Sequence, residues 1–436
     1  MRRFFVQNFG CRASQADGAA IEGLLREKGF ASAPDAAAAD LLIVNTCTVT
    51  SAADEDARKA IHRLHRENPR ARIIVTGCYA QRSPEELART PGVALVLGNT
   101  HKDQVARVVD AWSGREDYHG EILVGDIGRQ ASFLSAPVED ASGDRTRPNL
   151  KIQDGCNNPC TFCIIPSVRG PSRSMPEEEV LRQVRALAGR YAEVVLTGIN
   201  LGRWGRERGF GGPRRLHDLL RRILDETGVQ RLRISSVEPM DWTDELFELM
   251  AASPRIAPHV HMPLQSGSDA VLKRMKRRYR VRHYEDRILR AARLLPEAAF
   301  GADVMTGFPG ETDAEFQETL EFIARMPFTY LHVFTYSERP GTPAASMPGR
   351  VPWEARKERT RRLRQLASEK NLAFRRRFLG RALSAVTLDN GKALTGNYLT
   401  VELARPRPAN QIVDVTIGAL SPAGLAEAGA LPVLVG

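Results

Sequence analysis

The sequence lacks long apolar runs and internal repeats. No stretch approaches the roughly 18–20 consecutive apolar residues that a membrane-spanning helix needs, so we expect no membrane partner. The first residues, MRRFFVQNFGC, lack the apolar core and small-residue cleavage site of a secretion signal. With six cysteines and no such signal, we expect the reducing cytoplasm, where cysteine more often binds metal than forms disulfides.

Acidic residues are the smaller charge class. The 52 Asp and Glu residues stand against 62 Lys and Arg, which gives the 436-residue chain a formal net charge of +10. A basic surplus suggests a polyanionic partner, most often a nucleic acid. Many basic proteins bind none, so net charge alone leaves this question open.

Three of the cysteines, Cys156, Cys160 and Cys163, fall within the eight residues CNNPCTFC. Thiolates at this density bind an iron–sulfur cluster or zinc. Structural zinc normally takes four ligands, but no Cys or His lies within 20 residues on either side, His119 and His217 being the nearest His. Three ligands therefore favour a [4Fe–4S] cluster with one open iron over the alternative, a zinc loop.

The same spacing, with Phe162 before the last cysteine, resembles the signature of the radical S-adenosylmethionine (SAM) superfamily. This resemblance implies that SAM binds the open iron. Reductive cleavage of SAM would then give a 5′-deoxyadenosyl radical, while the protein positions the cofactor and excludes competing reactions.

Residues 1–112 alternate short apolar strands with helical segments, which predicts a small parallel α/β domain. Cys11, Cys47 and Cys78 each follow one of its first three strands. Because the carboxyl ends of parallel strands meet at one edge of a sheet, these thiols should lie close together. One cysteine there would more often be a small buried side chain, but three predict a second three-cysteine cluster.

Residues 113–147 read as a connector with at most one strand, and residues 148–370 contain six strand-like segments separated by helices. This pattern predicts a parallel, partly closed (β/α)6 barrel, whose active site lies at the carboxyl ends of the strands. The run Phe308–Glu311 predicts a turn before a helix, with Glu311 and Thr312 in its first turn and cap. Around the cluster we expect Gly198, Asn200, Ser235, Ser236, Glu238, Gln265, Ser266 and Gly307; the candidates for binding SAM are Phe162, Gly198, Asn200, Glu238, Gln265 and Gly307.

Two basic runs stand out, at residues 273–280 and 356–381. Such runs usually form solvated helix faces, but two of them favour a track for a phosphate backbone. The tail, residues 371–436, alternates β-branched and polar residues and predicts a small antiparallel β-barrel. The candidates for RNA contacts are Lys273, Arg274, Lys276, Arg277, Arg278, Arg375, Arg376 and Arg377.

With these parts placed, the sequence resembles the methylthiotransferases, which join an α/β domain carrying an auxiliary cluster, a radical SAM barrel and a C-terminal TRAM domain. The phrases RLRISSVEP, HVHMPLQSGSDAVLKRMKRRY and DVMTGFPGET look most like the branch that acts on N6-threonylcarbamoyladenosine at position 37 of tRNA. SSVEP is the discriminating phrase. The sequence departs from the family after Cys11, where Ser14 and Gly18 replace a common Asn-containing pattern, which leaves the contacts of this loop open.

The resemblance implies two [4Fe–4S] clusters, SAM, the tRNA anticodon stem-loop as substrate, and an electron donor of flavodoxin or ferredoxin type. One SAM would methylate a sulfur carried at Cys11, Cys47 and Cys78, and a second would be cleaved at the other cluster, so that C2–H of the adenine becomes C2–SCH3. Three alternatives stay open: isopentenyladenosine at position 37, an aspartate of a ribosomal protein, and a non-catalytic iron–sulfur protein that binds RNA.

Overall fold

The computed structural model describes residues 2–111, 120–130, 133–134, 146–207, 215–422 and 424–429. Its first unit is a six-stranded sheet in which every pair is parallel, as predicted. The strands, in the order β2-β1-β3-β4-β5-β6, are β1 (Arg3–Asn8), β2 (Ala31–Ser32), β3 (Leu41–Thr46), β4 (Arg72–Gly77), β5 (Val93–Leu97) and β6 (Glu121–Leu123). The helices are α1 (Arg12–Glu27), α2 (Ser51–Glu67), α3 (Cys78–Arg82), α4 (Pro84–Ala88) and α5 (Val105–Ala111), with 3-10 turns at Lys102–Gln104 and Ile127–Arg129.

The middle strands of this sheet are apolar on both faces because helices cover both sides. Every residue of β3 is buried, and two separate apolar cores flank the sheet. β6 comes from the segment expected to be a connector, and it adds a sixth strand to the sheet. The remainder of that connector lies largely outside the described residues.

The central unit is the expected incomplete barrel. Its strands are β7 (Asn149–Asp154), β8 (Arg173–Ser174), β9 (Glu193–Gly198), β10 (Arg231–Ile234), β11 (His259–His261), β12 (Ala299–Thr306) and β13 (Tyr330–Thr335). They form two arcs, β10-β9-β7-β8 and β11-β12-β13, and a single bridge from Leu232 to Ile256 joins β10 to the chain just before β11. Except for the short antiparallel β8, the strands are parallel.

Helices pack on the outside of both arcs and bury the largest apolar core among the described residues. They are α7 (Glu177–Ala188), α8 (Leu216–Glu226), α9 (Asp244–Ala252), α10 (Asp269–Arg274), α11 (Val281–Leu294), α12 (Asp313–Arg325) and α13 (Trp353–Arg376), with 3-10 turns at Leu201–Arg203, Pro239–Asp241 and Pro343–Ser346. The short α6 (Ile165–Arg169) packs instead on α3 of the first unit. No described helix has the length and apolar character needed to cross a membrane.

The open side of the barrel faces the first unit, whose helix α1 lies against β7 and β9. Asp17 of α1 is completely buried there. Its carboxylate pairs with Lys102 (2.8 Å), with Arg169 (2.9 Å) and with Lys151. Arg169 and Lys151 also pair with Asp154, at 2.9 and 2.8 Å. A buried network of charges therefore joins the two units.

The tail forms a closed barrel in the order β14-β15-β16-β18-β17. One pair, β16 with β18, is parallel, and the other four pairs are antiparallel as predicted. The division expected between residues 370 and 371 falls inside α13. The strands are β14 (Ala382–Thr387), β15 (Lys392–Thr395), β16 (Thr400–Glu402), β17 (Ile412–Ser421) and β18 (Gly424–Glu427).

Candidate functional site

The first cysteine triad lies at the carboxyl edge of the first sheet. Cys47 directly follows β3, Cys78 directly follows β4, and Cys11 caps α1 just after β1. These three strands are neighbours, so the edge gathers the thiols as the sequence predicts. Burial, together with the nearby Cys78 and Cys11 thiols, raises the pKa of Cys47 to about 12. The three thiols are free, and cysteine binds metal as the thiolate, so this edge is a candidate metal site.

Two glycines allow the backbone to pass close to this triad. Gly10 has φ +94°, and a Cβ there would lie 2.7 Å from Cβ of Cys47. Gly77 has φ +97°, and a Cβ there would lie 2.3 Å from the carbonyl oxygen of Thr46. Any other residue would be strained at either position and would push the cysteine loops apart.

The segment after Cys11, expected to be a loop, is the start of α1. Ser14 Oγ lies 3.8 Å from Cys11 Sγ and accepts a hydrogen bond from Arg169 at 3.2 Å. Gly18 faces β1, where a Cβ would lie 1.9 Å from Oδ1 of Asn8. The unusual residues therefore serve helix packing and a contact to the cysteine.

The second triad follows β7, and hydrogen-bond donors point at its sulfurs. Cys156 Sγ accepts from the backbone N–H of Asn158 (3.4 Å) and from Nδ2 of Asn200 (3.6 Å). Cys160 Sγ accepts from Nη1 of Arg277 at 3.1 Å. Burial, with the adjacent Cys160 and Cys156 thiols, raises the pKa of Cys163 to about 12. Donors to sulfur stabilise thiolates, so this set also fits a bound metal centre.

The spacing of the sulfurs distinguishes a cluster from a single ion. Tetrahedral zinc with a Zn–S distance of ~2.3 Å brings its sulfurs to within about 4 Å of one another. Among the described residues, the donor atoms that converge within 4.8 Å as a group of three belong to His261, Asp303 and His332, and to neither cysteine triad. As positioned here, neither triad brings all three sulfurs as close together as one tetrahedral zinc ion requires.

Residues of the two cysteine loops pack against each other at the interface between the units. Cys78 packs in one apolar cluster with Ile164 and Val168, and Ile164 directly follows Cys163. Asn99 ties the same contact together, donating to Cys78 Sγ at 3.7 Å and to the carbonyl of Val168 at 2.7 Å. Cys78 of the first triad and Ile164, the residue after Cys163 of the second triad, therefore share one apolar patch.

Several predicted SAM-binding residues lie around the second triad. Asn200 donates to Cys156. The Oδ1 atom of Asn200 and the Oγ atom of Ser235 are both buried, and neither has a hydrogen-bond partner among the described residues. Glu238 pairs with Arg277, and its burial raises its pKa. Gly198 packs on Gln153, and a Cβ added at Gly198 would lie 3.0 Å from the Cβ of Gln153. Buried polar atoms without partners are what a polar cofactor such as SAM requires here.

The ring of Phe162 packs edge-on against the ring of Phe308, which directly follows Gly307, with the ring centroids 6.5 Å apart. Gln265 has φ +64°, and its N–H donates to the carbonyl of Asp303 at 2.8 Å, which ties β11 to β12. Gly307 has φ +72° and donates its N–H to Oε2 of Glu311 at 2.7 Å. These residues shape the rim of the barrel.

Two expectations about this rim need correction. Glu311 precedes α12 and is a buried partner of Arg359 (2.7 Å) rather than a first-turn residue. Thr312 caps α12 as predicted, in a capping box with Glu315. Ser266 does not face the cluster, because its Oγ lies 3.1 Å from Oγ1 of Thr319 on α12. The two residues fix the loops behind the site.

The eight predicted RNA-contact residues divide into two groups. Arg274 pairs with Glu315 at 2.7 Å, Arg277 is buried against Glu238, and Arg375 donates to carbonyls of the tail barrel. These three have structural or site contacts that the sequence did not reveal. The exposed remainder is Lys273, Lys276, Arg278, Arg376 and Arg377.

A polar recess of about 280 Å³ opens beside Cys156. Arg278, one of the exposed cations, lies at its lining, and the amide of Asn200 connects it to the cluster ligand. The lining residues are Asn157, Asn158, Ser172, Asn200, Arg203, Arg206, Glu207 and Arg278. A polyanion bound at Arg278 would thus lie next to the second triad.

Comparison with known proteins identifies families and a fold that this chain resembles. Residues 150–323 match the radical SAM superfamily, and residues 3–98 match a family described as uncharacterized protein family UPF0004. The fold is shared with a radical S-adenosylmethionine methyltransferase from Kitasatospora setae, solved with tryptophan and a SAM analogue bound: the TM-score is 0.56 at 15% identity, covering 79% of this chain and 75% of that one.

Sequence relatives cover more of the chain. A threonylcarbamoyladenosine tRNA methylthiotransferase of Aquifex aeolicus is 36% identical over 94% of this chain and 99% of its own length. The protein of the same name from Bacillus subtilis is 42% identical over 83% and 79%. A tRNA-2-methylthio-N(6)-dimethylallyladenosine synthase of Parafrankia sp. is 35% identical over 89% and 78%. The chain, matched almost from end to end by such enzymes, belongs to the radical SAM methylthiotransferase family.

Proposed function

We propose that this enzyme converts N6-threonylcarbamoyladenosine at position 37 of tRNA to its 2-methylthio derivative, in the cytoplasm. Membership of the radical SAM superfamily brings SAM and one [4Fe–4S] cluster; a second [4Fe–4S] cluster at Cys11, Cys47 and Cys78 is part of the proposal. The choice of base is supported by the relatives named for threonylcarbamoyladenosine, which match most of the chain. The two-centre arrangement is supported by the shared patch of Cys78 and Ile164, since sulfur transfer needs the two centres near each other.

The chemistry divides between cofactors and chain. A cluster held by Cys156, Cys160 and Cys163 would, with SAM, supply a radical for an aromatic C–H that has no acidic proton, and a second cluster would supply a place for the incoming sulfur. The chain places Arg277 against Cys160 and Asn200 against Cys156, which offsets thiolate charge. The unpaired Oδ1 of Asn200 is available to accept a hydrogen bond from the amino group of SAM.

The substrate would arrive as a splayed single-stranded base, as RNA-modifying enzymes require. Lys273, Lys276 and Arg278 are exposed and close together in the chain, and Arg278 lines the recess near Cys156. These cations suit the phosphates of an anticodon loop. The expected electron donor is a flavodoxin or ferredoxin, because reductive cleavage consumes an electron.

Nucleoside mass spectrometry of tRNA tests this function. A deletion strain should lose the 2-methylthio form of threonylcarbamoyladenosine and accumulate its precursor; the wild-type gene should restore the product, and genes carrying Cys160→Ala or Cys78→Ala should not. Persistence of the product in the deletion strain would contradict the assignment. Loss of 2-methylthio-isopentenyladenosine instead would point to the other tRNA substrate.

Iron analysis separates the enzyme from a non-catalytic iron–sulfur protein. Anaerobic reconstitution should give about eight irons per chain and SAM-dependent 5′-deoxyadenosine. Cys78→Ala should retain about four irons and still cleave SAM, whereas Cys160→Ala should lose cleavage. Four irons in the wild-type chain with no SAM cleavage would favour the non-catalytic alternative.

A further inference from the structure

The inner faces of β11, β12 and β13 carry a row of polar and aromatic side chains. Neighbouring residues of a strand point to opposite faces. Val260, Ala302 and Val333 lie in the apolar core beneath the outer helices. Their neighbours His261, Asp303 and His332 therefore point into the barrel.

These inner side chains hold one another in place. Asp303 Oδ1 lies 3.1 Å from Nδ1 of His332 and 3.2 Å from Nε2 of His261. On its other side, His261 Nδ1 contacts the Tyr330 hydroxyl at 2.8 Å. Tyr330 lies across Gly301, where a Cβ would come within 1.9 Å of its ring. The carboxylate and both imidazoles are therefore fixed from below.

The floor beneath them is closed by the tail. Tyr330 also contacts Nε2 of His259 at 2.7 Å, and Tyr398 of the tail stacks on the His259 ring with centroids 4.4 Å apart. Tyr398 has φ +65°, a strained conformation for a residue with a side chain, and Arg12 donates to its hydroxyl at 3.0 Å. The inner space is thus sealed at this end and open toward the clusters.

Two side chains at the open end remain accessible. The His332 side chain is 51% exposed and that of Asp303 25%, although both lie on an inner face. Phe334, two residues beyond His332 on the same face, is 46% exposed. Its strand partner Met305 packs in the apolar cluster that contains Phe162, between two cysteines of the second triad. Phe334 therefore lies at the level of the cluster, and His332 about 7 Å deeper.

Asp303 and His332 also have hydrogen-bonding atoms with which no other described residue forms a hydrogen bond. Both imidazoles contact Oδ1 of Asp303. Among the described residues, no hydrogen bond is made to the other carboxylate oxygen, Oδ2 of Asp303, or to Nε2 of His332. Burial would raise the pKa of Asp303, but hydrogen bonds from His261 and His332 lower it below its ordinary value, so the group stays ionised. An acceptor oxygen and an imidazole nitrogen thus face open space beside an exposed aromatic ring.

We propose that Asp303 and His332 form a subsite that binds the polar arm on N6 of the substrate base, while Phe334 stacks on the base. This inference rests on the proposed function and names what selects the substrate. The arm of N6-threonylcarbamoyladenosine carries N–H and O–H donors that suit the free carboxylate oxygen of Asp303 and Nε2 of His332, which accepts because Nδ1–H is donated to Asp303. An isopentenyl arm carries no such group, so its binding would leave Asp303 and His332 desolvated and without hydrogen-bond partners. Sites that leave polar groups unpaired in this way discriminate strongly against such a substrate.

A divalent cation held by His261, Asp303 and His332 is the competing occupant. The exposed ring of Phe334 favours the base, because stacking on an aromatic side chain is how proteins hold an unpaired nucleobase and offers nothing to an ion.

The test compares two RNA substrates on the reconstituted holoenzyme. Anticodon stem-loops carrying threonylcarbamoyladenosine or isopentenyladenosine at position 37 are assayed for methylthio product and, without reductant, for binding by fluorescence anisotropy. His332→Ala should lower kcat/KM for the first RNA at least about tenfold, mainly through KM, and weaken its binding equally. His332→Gln should keep part of the affinity, and Phe334→Leu should weaken binding of both RNAs.

The exposed imidazole of His62 on α2 provides a matched control, and His62→Ala should behave as wild type. The iron content and the thermal unfolding of His332→Ala should match wild type, which shows that the fold is intact. Unchanged binding and kcat/KM in His332→Ala would overturn the subsite alone. A metal ion beyond the clusters that is lost in His332→Ala would also overturn it, and a wild-type enzyme that modifies neither RNA would overturn the subsite and the proposed function together.

Discussion

At the scale of single residues, Arg277 differs most from its sequence-based interpretation. It lies in the basic run KRMKRRYR, which reads as a phosphate-binding surface. Its side chain is only 5% exposed and lies between Glu238 and Cys160. Both partners are distant in sequence, so the pattern of charges could not distinguish this arginine from the exposed Arg278 beside it.

Arg277→Gln should slow SAM cleavage by about tenfold or more, because it removes the positive charge that faces Cys160 and leaves Glu238 buried without its partner. The rate of 5′-deoxyadenosine formation measures the loss, and the electron paramagnetic resonance spectrum of the reduced cluster should change with it. Arg278→Gln is the neighbouring control and should cleave SAM normally. Equal losses in both variants would rule out a specific role for Arg277.

At the scale of elements, the strands and most helices followed from apolar patterning, and the cysteine edge followed from the rule for parallel sheets. The helix that begins at Cys78 was missed because five residues give too little periodicity to read. The role of α1 was missed for another reason. Asp17, Lys102 and Lys151 look like ordinary surface charges in sequence, and only the fold buries them together.

Asp17→Asn should destabilise the folded protein by about 3–5 kcal/mol, because it leaves Lys102, Lys151 and Arg169 with too little buried negative charge. Urea unfolding of the variant and wild type measures the difference. Glu27→Gln, at the exposed end of the same helix, should change stability little. A loss below about 1 kcal/mol for Asp17→Asn would mean that the network does not hold the units together.

The tail docks on the barrel through Arg233, which pairs with Glu193 at 2.7 Å and donates to the carbonyls of Thr395 and Gly396. Burial would raise the pKa of Glu193, but Arg233 and Arg147 lower it to about 2. Because the folded pKa is depressed, this stabilisation is complete above the ordinary glutamate value of about 4.3 and is lost as the pH falls toward 2. Acid should therefore loosen the tail.

Glu193→Gln should be less stable than wild type at pH 7, by about 3 kcal/mol at most, and the gap should shrink as the pH falls below about 4. Denaturant unfolding at pH 7 and pH 3.5 gives both differences. Glu297→Gln, in an exposed pair with Arg381, should show a small gap at both values. A gap for Glu193→Gln that is the same at both pH values would exclude this linkage.

At the scale of the whole molecule, net charge is a weak guide to where RNA binds. The composition predicts a basic protein and the resemblance predicts an RNA substrate, and the structure shows which of the candidate cations are exposed. Arg278 is exposed at the recess near Cys156, whereas Arg375 donates to carbonyls of the tail. Sequence could not separate them, because exposure depends on packing between distant segments.

Lys276→Glu should weaken tRNA binding about tenfold and reduce the slope of log affinity against log salt by about one phosphate contact. Binding titrations at several salt concentrations measure both quantities. Arg66→Glu makes the same charge change on the exposed face of α2 and should have a much smaller effect. Equal weakening by both would indicate attraction by total charge and no defined track.

The contact between Cys78 and Ile164 has a consequence for how this enzyme fails. Cys78 and Ile164 are both buried, so the loop of the second triad is packed directly against the edge of the first sheet. Separation of the two units would remove this packing from both cysteine loops at once. A variant or condition that separates the units should therefore disturb both cysteine sites together.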